Sequence, residues 1–161
     1  MAILRILIIS DSHGTTRRFD RAIEITQPDM IIHLGDIERD VCYLEDVYPE
    51  IPLEAVVGNN DPWCRRPAEK VLEINGVKIF ITHGHLYSVY DKGARLAKRA
   101  SELDCKIALF GHTHMASDET FFGVRTFNPG SISRPRTGNY SVGVLEIDEN
   151  GKYGLMLCDW I

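Results

Sequence analysis

Apolar runs that stop abruptly at polar loops set the rhythm of this chain. Ile3 to Ile9 is apolar and β-branched almost throughout, which predicts a strand buried on both faces. Ser10-Asp11-Ser12-His13-Gly14 follows it directly. Thr15 or Thr16 can cap a helix whose apolar positions are Phe19, Ala22, Ile23 and Ile25, and Pro28 ends it. Met30 to Leu34 predicts a second buried strand, closing at Gly35-Asp36. A polar, helical stretch then runs to Tyr48 and is broken by prolines 49 and 52. Leu53 to Val57 predicts a third strand, closing at Gly58-Asn59-Asn60-Asp61.

The second half begins with two runs, Lys70–Ile74 and Val77–Thr82, joined by Asn75-Gly76, a strong hairpin signal. The second run ends at His83-Gly84-His85. Asp91 to Leu103 reads as a helix, and Ile107 to Phe110 as a buried strand that stops at Gly111-His112-Thr113-His114. Two further hairpins are expected, Glu119–Phe122 with Val124–Phe127 around Gly123, and Tyr140–Ile147 with Tyr153–Leu157 around Glu149-Asn150-Gly151. Strands alternating with helices, then paired strands, predict an α/β fold in which a second sheet packs on the first with helices outside.

Length and composition narrow the classes. At 161 residues the chain is expected to form a single domain, 1–161. Hydrophobic residues make up 44% and charged residues 25%, as in ordinary globular proteins, and the net charge of -5 gives no basic surface for nucleic acid or anionic lipid. Cys42, Cys64, Cys105 and Cys158 are scattered with no Cys-x-x-Cys pair, which reads as reduced thiols in a cytoplasmic protein. The apolar start is too short for a signal-peptide core or a membrane span.

The chemistry sits where the strands stop. In α/β sheets ligands bind beyond the carboxyl ends of the strands. Asp11, His13, Asp36, Asn59, His83, His112 and His114 all fall there. Carboxylate, imidazole and amide together suit a divalent transition metal. Seven ligands exceed the roughly four that one zinc takes. They match two ions about 3.5–4 Å apart that share a carboxylate, clamp a phosphate and activate a bridging water.

Asp11-Ser12-His13, Gly35-Asp36, Gly58-Asn59-x-Asp61, His83-Gly84-His85 and Gly111-His112-Thr113-His114 occur in this order. In this the chain resembles the calcineurin-like metallophosphoesterases. Asn128-Pro129-Gly130-Ser131, followed by Arg134-Pro135-Arg136, resembles the small bacterial and archaeal phosphodiesterases of the YfcE type. The resemblance runs from the first strand to about Arg136. It implies a four-layer αββα sandwich of two mixed sheets flanked by helices. It also implies one ion held by Asp11, His13, Asp36 and His114, and a second held by Asp36, Asn59, His83 and His112, with Asp36 bridging. The expected cofactors are two divalent ions, Mn2+ first, with Ni2+, Fe2+ or Zn2+ as alternatives. The expected substrate is a small phosphate ester, a diester by likeness to the small relatives.

Larger family members carry a histidine after the motif asparagine, oriented by the next acid. Here that position is Asn60, expected to touch substrate, and Asp61 follows. The general acid is therefore open. His85 reads equally well as a group behind the ligands or on the phosphate and as a plain loop residue. His33, inside a strand, reads as a hydrogen-bonded packing residue. Gly130 and Ser131 either shape a turn or offer a loop amide to the site. Trp63 and Trp160 read as packing residues rather than a base-stacking platform, and Arg65, Arg66, Arg134 and Arg136 as solvated, with one of them able to meet a substrate phosphate. A second function class is a protein-interaction scaffold, since the retromer scaffolding subunit resembles this fold with an altered metal site. The intact ligand set favours the enzyme. Exposed edges of the C-terminal hairpins leave room for a homodimer.

Overall fold

The structure is a computed structural model and describes residues 2–161. Ten strands form two five-stranded mixed sheets. The first sheet has the order β10-β9-β1-β2-β3, built from β1 (Ile3–Ile9), β2 (Met30–His33), β3 (Leu53–Ala55), β9 (Val142–Asp148) and β10 (Tyr153–Cys158). The second has the order β4-β5-β6-β8-β7, built from β4 (Glu69–Ile74), β5 (Val77–Thr82), β6 (Ile107–Leu109), β7 (Ser117–Phe121) and β8 (Val124–Asn128). β1, β2 and β3 run parallel, as do β5, β6 and β8. The three hairpins pair antiparallel.

Period-two alternation sorts the side chains into three interfaces. Ile6 and Ile8 of β1 face Ile79, Ile81, Ile107 and Leu109 of the other sheet across the central core. Leu7 and Ile9, one residue out of phase, face outward onto Phe19, Ala22 and Ile23 of helix α1 (Arg17–Thr26) and Leu44 of α2 (Glu38–Val47). On the far side Phe80 and Ala108 pack against Leu96, Ala97 and Ala100 of α3 (Ala94–Glu102). Helix, sheet, sheet and helix are the four layers that the resemblance implies. Each fully buried Ile or Leu contributes about 1.5–3 kcal/mol of burial.

One element differs from the sequence reading. The helix expected from Asp91 begins at Ala94, after a single 3-10 turn at Val89–Asp91. Asp91 stands outside the helix and its carboxylate accepts from the N–H groups of Gly93, Ala94 and Arg95, which caps the helix from three residues upstream. The sequence also leaves open which sheet each C-terminal hairpin joins. β9-β10 completes the first sheet beside β1, whereas β8 docks parallel to β6 in the second.

Candidate metal centre

The carboxyl ends of β1, β2, β3, β5 and β6 meet at one edge of the sandwich, and the loop after each brings polar residues to the same place. Cross-bonds knit these loops together: Asp11 N–H donates to Gly35 O (3.2 Å) and Gly111 N–H to His83 O (2.9 Å). Five of the seven residues proposed from sequence hold left-handed backbone, with φ of 54° at Asp11, 46° at His13, 55° at Asp36, 69° at His112 and 59° at His114. Each such non-glycine residue costs of order 1–3 kcal/mol, and strain of this kind collects at functional sites. Two glycines permit the close approach. A Cβ on Gly58 would lie 1.9 Å from Asp36 Oδ1, and one on Gly111 would lie 1.9 Å from Ser10 Oγ and 2.7 Å from Asp11 Oδ2.

All seven residues converge, in two groups. In the first, His13 Nε2 lies 3.2 Å from His114 Nε2, which is 3.4 Å from Asp11 Oδ1. In the second, Asn59 Oδ1 lies 3.0 Å from His83 Nε2 and 3.1 Å from His112 Nδ1. The carboxylates lie between the groups. Asp36 Oδ2 is 3.7 Å from His13 Nε2 and 3.5 Å from His83 Nε2, and Asp11 Oδ1 is 3.7 Å from His83 Nε2. Asn60 covers Asp36, its backbone N–H donating to Oδ1 (3.0 Å) and its side-chain amide to Oδ2 (2.7 Å). His85 stands beside the second group, its ring 5.5 Å from that of His83 and 6.3 Å from that of His112.

The surrounding groups fix these donors. His83 Nδ1–H donates to Leu34 O (2.8 Å) and His114 Nδ1–H to Arg134 O (2.8 Å), so both rings turn Nε2 into the site. Burial pushes the Asp11 carboxyl up, but His114, His83 and the Ser10 hydroxyl outweigh it and hold it below the ordinary carboxylate range. The same contact with Asp11 raises His114. His13, His85 and His112 are shifted down, in each case chiefly by burial.

These positions fit cations. Asp11 Oδ1 is buried and has no hydrogen-bond donor, a state that costs about 1–3 kcal/mol unless something positive satisfies it. With Nδ1 donating to Leu34 O, His83 turns Nε2 toward the oxygen of Asn59 at 3.0 Å, two atoms that can both serve as ligands. A divalent ion would be held by both lone pairs. The carboxylate, imidazole and amide mixture suits a transition metal.

Several supporting residues escape sequence reasoning. Asp61 does not act as an orienting acid for position 60. Both of its oxygens are committed, accepting from Gly58 N–H (2.8 Å), Asp36 N–H (3.1 Å) and Glu38 N–H (2.9 Å). It thereby caps α2 and ties two site loops together. Asp40, buried on α2, accepts from Ser12 Oγ (2.7 Å) and Gly14 N–H (2.7 Å) and so holds the His13 loop. His33 is buried, faces Ser12 Oγ with Nε2 (3.1 Å) and accepts from Gly35 N–H with Nδ1 (3.1 Å). Asn128 donates to Gly111 O and Thr113 Oγ1, and Ser131 Oγ donates to Asp11 O (2.8 Å), so that motif does more than shape a turn. A buried acid in the first turn of a helix looks like any helix acid in sequence, which is why Asp40 gives no signal.

Other expectations are corrected. Trp63 is 94% exposed and Trp160 58%, so neither is a packing residue. Arg66 is paired with Glu38 and Glu45 rather than simply solvated.

The sequence profile of the calcineurin-like phosphoesterase superfamily domain matches residues 4–150. The chain belongs to the calcineurin-like phosphoesterase superfamily. Within that superfamily it is 36% identical over 151 residues to the probable metallophosphoesterase YsnB of Bacillus subtilis, covering 90% of this chain and 86% of YsnB. It is 35% identical over 179 residues to the phosphodiesterase YfcE of Escherichia coli, covering 91% and 89%. Among solved structures, a predicted phosphoesterase from Streptococcus pneumoniae superposes with a TM-score of 0.79 at 29% identity, covering 99% of this chain and 91% of that one. The zinc complex of Vps29 from Entamoeba histolytica has a TM-score of 0.75 at 20% identity, covering 98% and 100%, a likeness of fold.

Proposed function

We propose that this superfamily member is a cytoplasmic, metal-dependent phosphodiesterase with two divalent ions, manganese in the active form. One ion is assigned to Asp11, His13, Asp36 and His114, the other to Asp36, Asn59, His83 and His112, with Asp36 shared. The observation that carries this reading is the donorless, buried Asp11 Oδ1 set among inward-turned imidazole nitrogens. The likeness to YfcE supports a diester substrate. The four free cysteines support a reducing compartment.

Two bound divalent ions would polarise the phosphoryl oxygens and supply an acidified water as nucleophile. The chain's own part is to hold the donors still. Leu34 and Arg134 carbonyls orient His83 and His114, and Asp61 keeps the Asp36 and Asn59 loops in register. The two carboxylates offset only part of the charge that two divalent ions bring, so the filled site attracts a phosphate. Asn60 has no proton to give a leaving oxygen at neutral pH. His85 is the imidazole next to His83 and His112 that is assigned to neither ion, and it is the candidate for that proton.

The test uses protein stripped by chelator and reloaded with manganese. Bis-p-nitrophenyl phosphate should be hydrolysed faster than p-nitrophenyl phosphate, and stripped protein should be inactive. Full activity with metal confirmed absent would overturn the mechanism. Reloaded protein inert toward every ester would favour the scaffold reading.

A further inference from the structure

Trp63 is out of place for a tryptophan. It is 94% exposed, although a large apolar ring is normally half covered or more. Its backbone is not loose. Asp61 on one side is bound by three backbone N–H groups, and Cys64 on the other donates its N–H to Asp61 O and its thiol to Glu38 (3.0 Å). Pro62 stiffens the segment between. The chain thus holds an indole in water on a braced loop, the loop that also carries Asn59 and Asn60.

Beside the ring is an open cavity of about 290 Å³ whose walls include Ile37, Arg39, Asn60 and Trp63 together with two acids, Glu38, paired with Arg66, and Asp61, committed to backbone N–H groups. Asn60 is the wall it shares with the metal centre, since the same side chain hydrogen-bonds Asp36. Arg39 is exposed, and it makes no hydrogen bond or ion pair among the described residues, in contrast to Arg66. Its guanidinium lies over Gly14, where an added Cβ would sit 2.7 Å from Nη2, directly after His13. An uncommitted cation therefore lies between the His13 loop and a cavity edged by an uncommitted aromatic ring.

We propose that Trp63 and Arg39 form a subsite for a flat aromatic substituent on the phosphate ester, with the ring stacked on Trp63 and the phosphate within reach of the Arg39 guanidinium. The inference rests on the phosphoesterase reading and adds a substrate class to it. Stacking selects for a π-face and tolerates differences in ring chemistry, so a nucleobase and a simple aryl group are the two sources. Guanidinium recognition of a phosphate oxygen is charge-assisted and keeps the ester oriented.

The experiment compares adenosine 5′-monophosphate, phenyl phosphate and ribose 5-phosphate as competitive inhibitors of bis-p-nitrophenyl phosphate hydrolysis. Both aromatic phosphates should inhibit more strongly than ribose 5-phosphate. Trp63→Ala should weaken them about tenfold, within the range that stacking supplies, and leave ribose 5-phosphate within about twofold. Arg39→Gln should weaken all three. If adenosine 5′-monophosphate loses more, the source is a nucleobase; if phenyl phosphate loses more, it is an aryl ester. A second readout does not need turnover. Trp160→Phe leaves Trp63 as the single tryptophan of the chain, and adenosine 5′-monophosphate should quench its fluorescence whereas ribose 5-phosphate should not. Equal inhibition by all three compounds, together with unquenched Trp63, would overturn the subsite even if metal-dependent hydrolysis is intact. Absence of hydrolysis with quenching intact would instead strike the phosphoesterase reading.

Discussion

The two ends of the sandwich solve the same backbone problem with different residues. At the far end, three hairpin turns need left-handed residues, and most of that demand falls on glycine or asparagine: Asn75 (49°) with Gly76 (80°), Gly123 (73°) after Phe122, and Gly151 (80°). Two of these turns also brace each other, Asn75 Nδ2 donating to Asp148 O (3.0 Å). At the metal end, Gly14, Gly35 and Gly84 meet part of the demand, but five left-handed positions are aspartates and histidines. Glycine adopts this conformation almost freely, whereas other residues pay roughly 1–2 kcal/mol. The far end is therefore arranged for stability. The near end accepts strain to aim imidazoles and carboxylates at two points, and backbone bonds from Asp61, Asp40, Asn128 and Ser131 hold it there.

Alanine at matched glycines should break that contrast most sharply. Gly111→Ala and Gly58→Ala drive a methyl into Ser10 and Asp36. Each should abolish metal binding and reduce activity by more than about 100-fold, beyond the range typical of residues that only support ligands. Gly76→Ala meets nothing within 4 Å and has only its φ of 80° to oppose it. It should lower stability by about 1–2 kcal/mol and leave turnover alone. Denaturant melts and steady-state rates on the three variants decide the matter, and equal losses of activity would contradict the division between the ends.

Within the near end, Asp36→Ala should remove more activity than His85→Ala. Asp36 lies within 3.7 Å of histidines from both groups, while His85 stands behind them. Similar rates for the two folded variants would count against Asp36 as the shared ligand. Asp61→Ala should come next. It strips three backbone N–H groups, that of Asp36 among them, of their acceptor and should weaken metal affinity about 10–100-fold without removing a ligand atom. A metal titration showing unchanged affinity would remove Asp61 from this role.

Much of this could be read from the chain alone. The strands were legible because unbroken apolar runs such as Ile6–Ile9 have no other use in a chain of this composition. The ligands were legible because each polar motif begins where such a run ends. What was hidden depends on distant partners. Asp91 could be seen as a helix former but not as a cap outside the helix. Asp61 looked like the orienting acid of a missing histidine because nothing local reveals that three backbone N–H groups converge on it. Trp63 looked like core because hydrophobicity usually predicts burial, and only the fold shows it in water.

Stability should also depend on pH. Burial drives His33 from its ordinary value of 6.5 down to about 4. Between those values the unfolded chain binds a proton that the folded one refuses. The contribution of a neutral His33 is therefore complete above pH 6.5 and is lost as pH falls toward 4, a change on the order of 3 kcal/mol at most. His33→Asn should start less stable and show a shallower acid slope in urea melts at pH 7, 6, 5 and 4. An identical slope would show that other groups set the acid limit.

The central claim is that seven residues from five strand-end loops make two cation sites. Calorimetric titration of manganese into chelator-stripped protein tests it most directly, because it counts ions without relying on turnover. The expected result is two ions per chain, falling to one when His114→Ala removes a donor used by only one of the two groups. One ion or none in the unaltered protein, or an unchanged count in His114→Ala, would contradict the account.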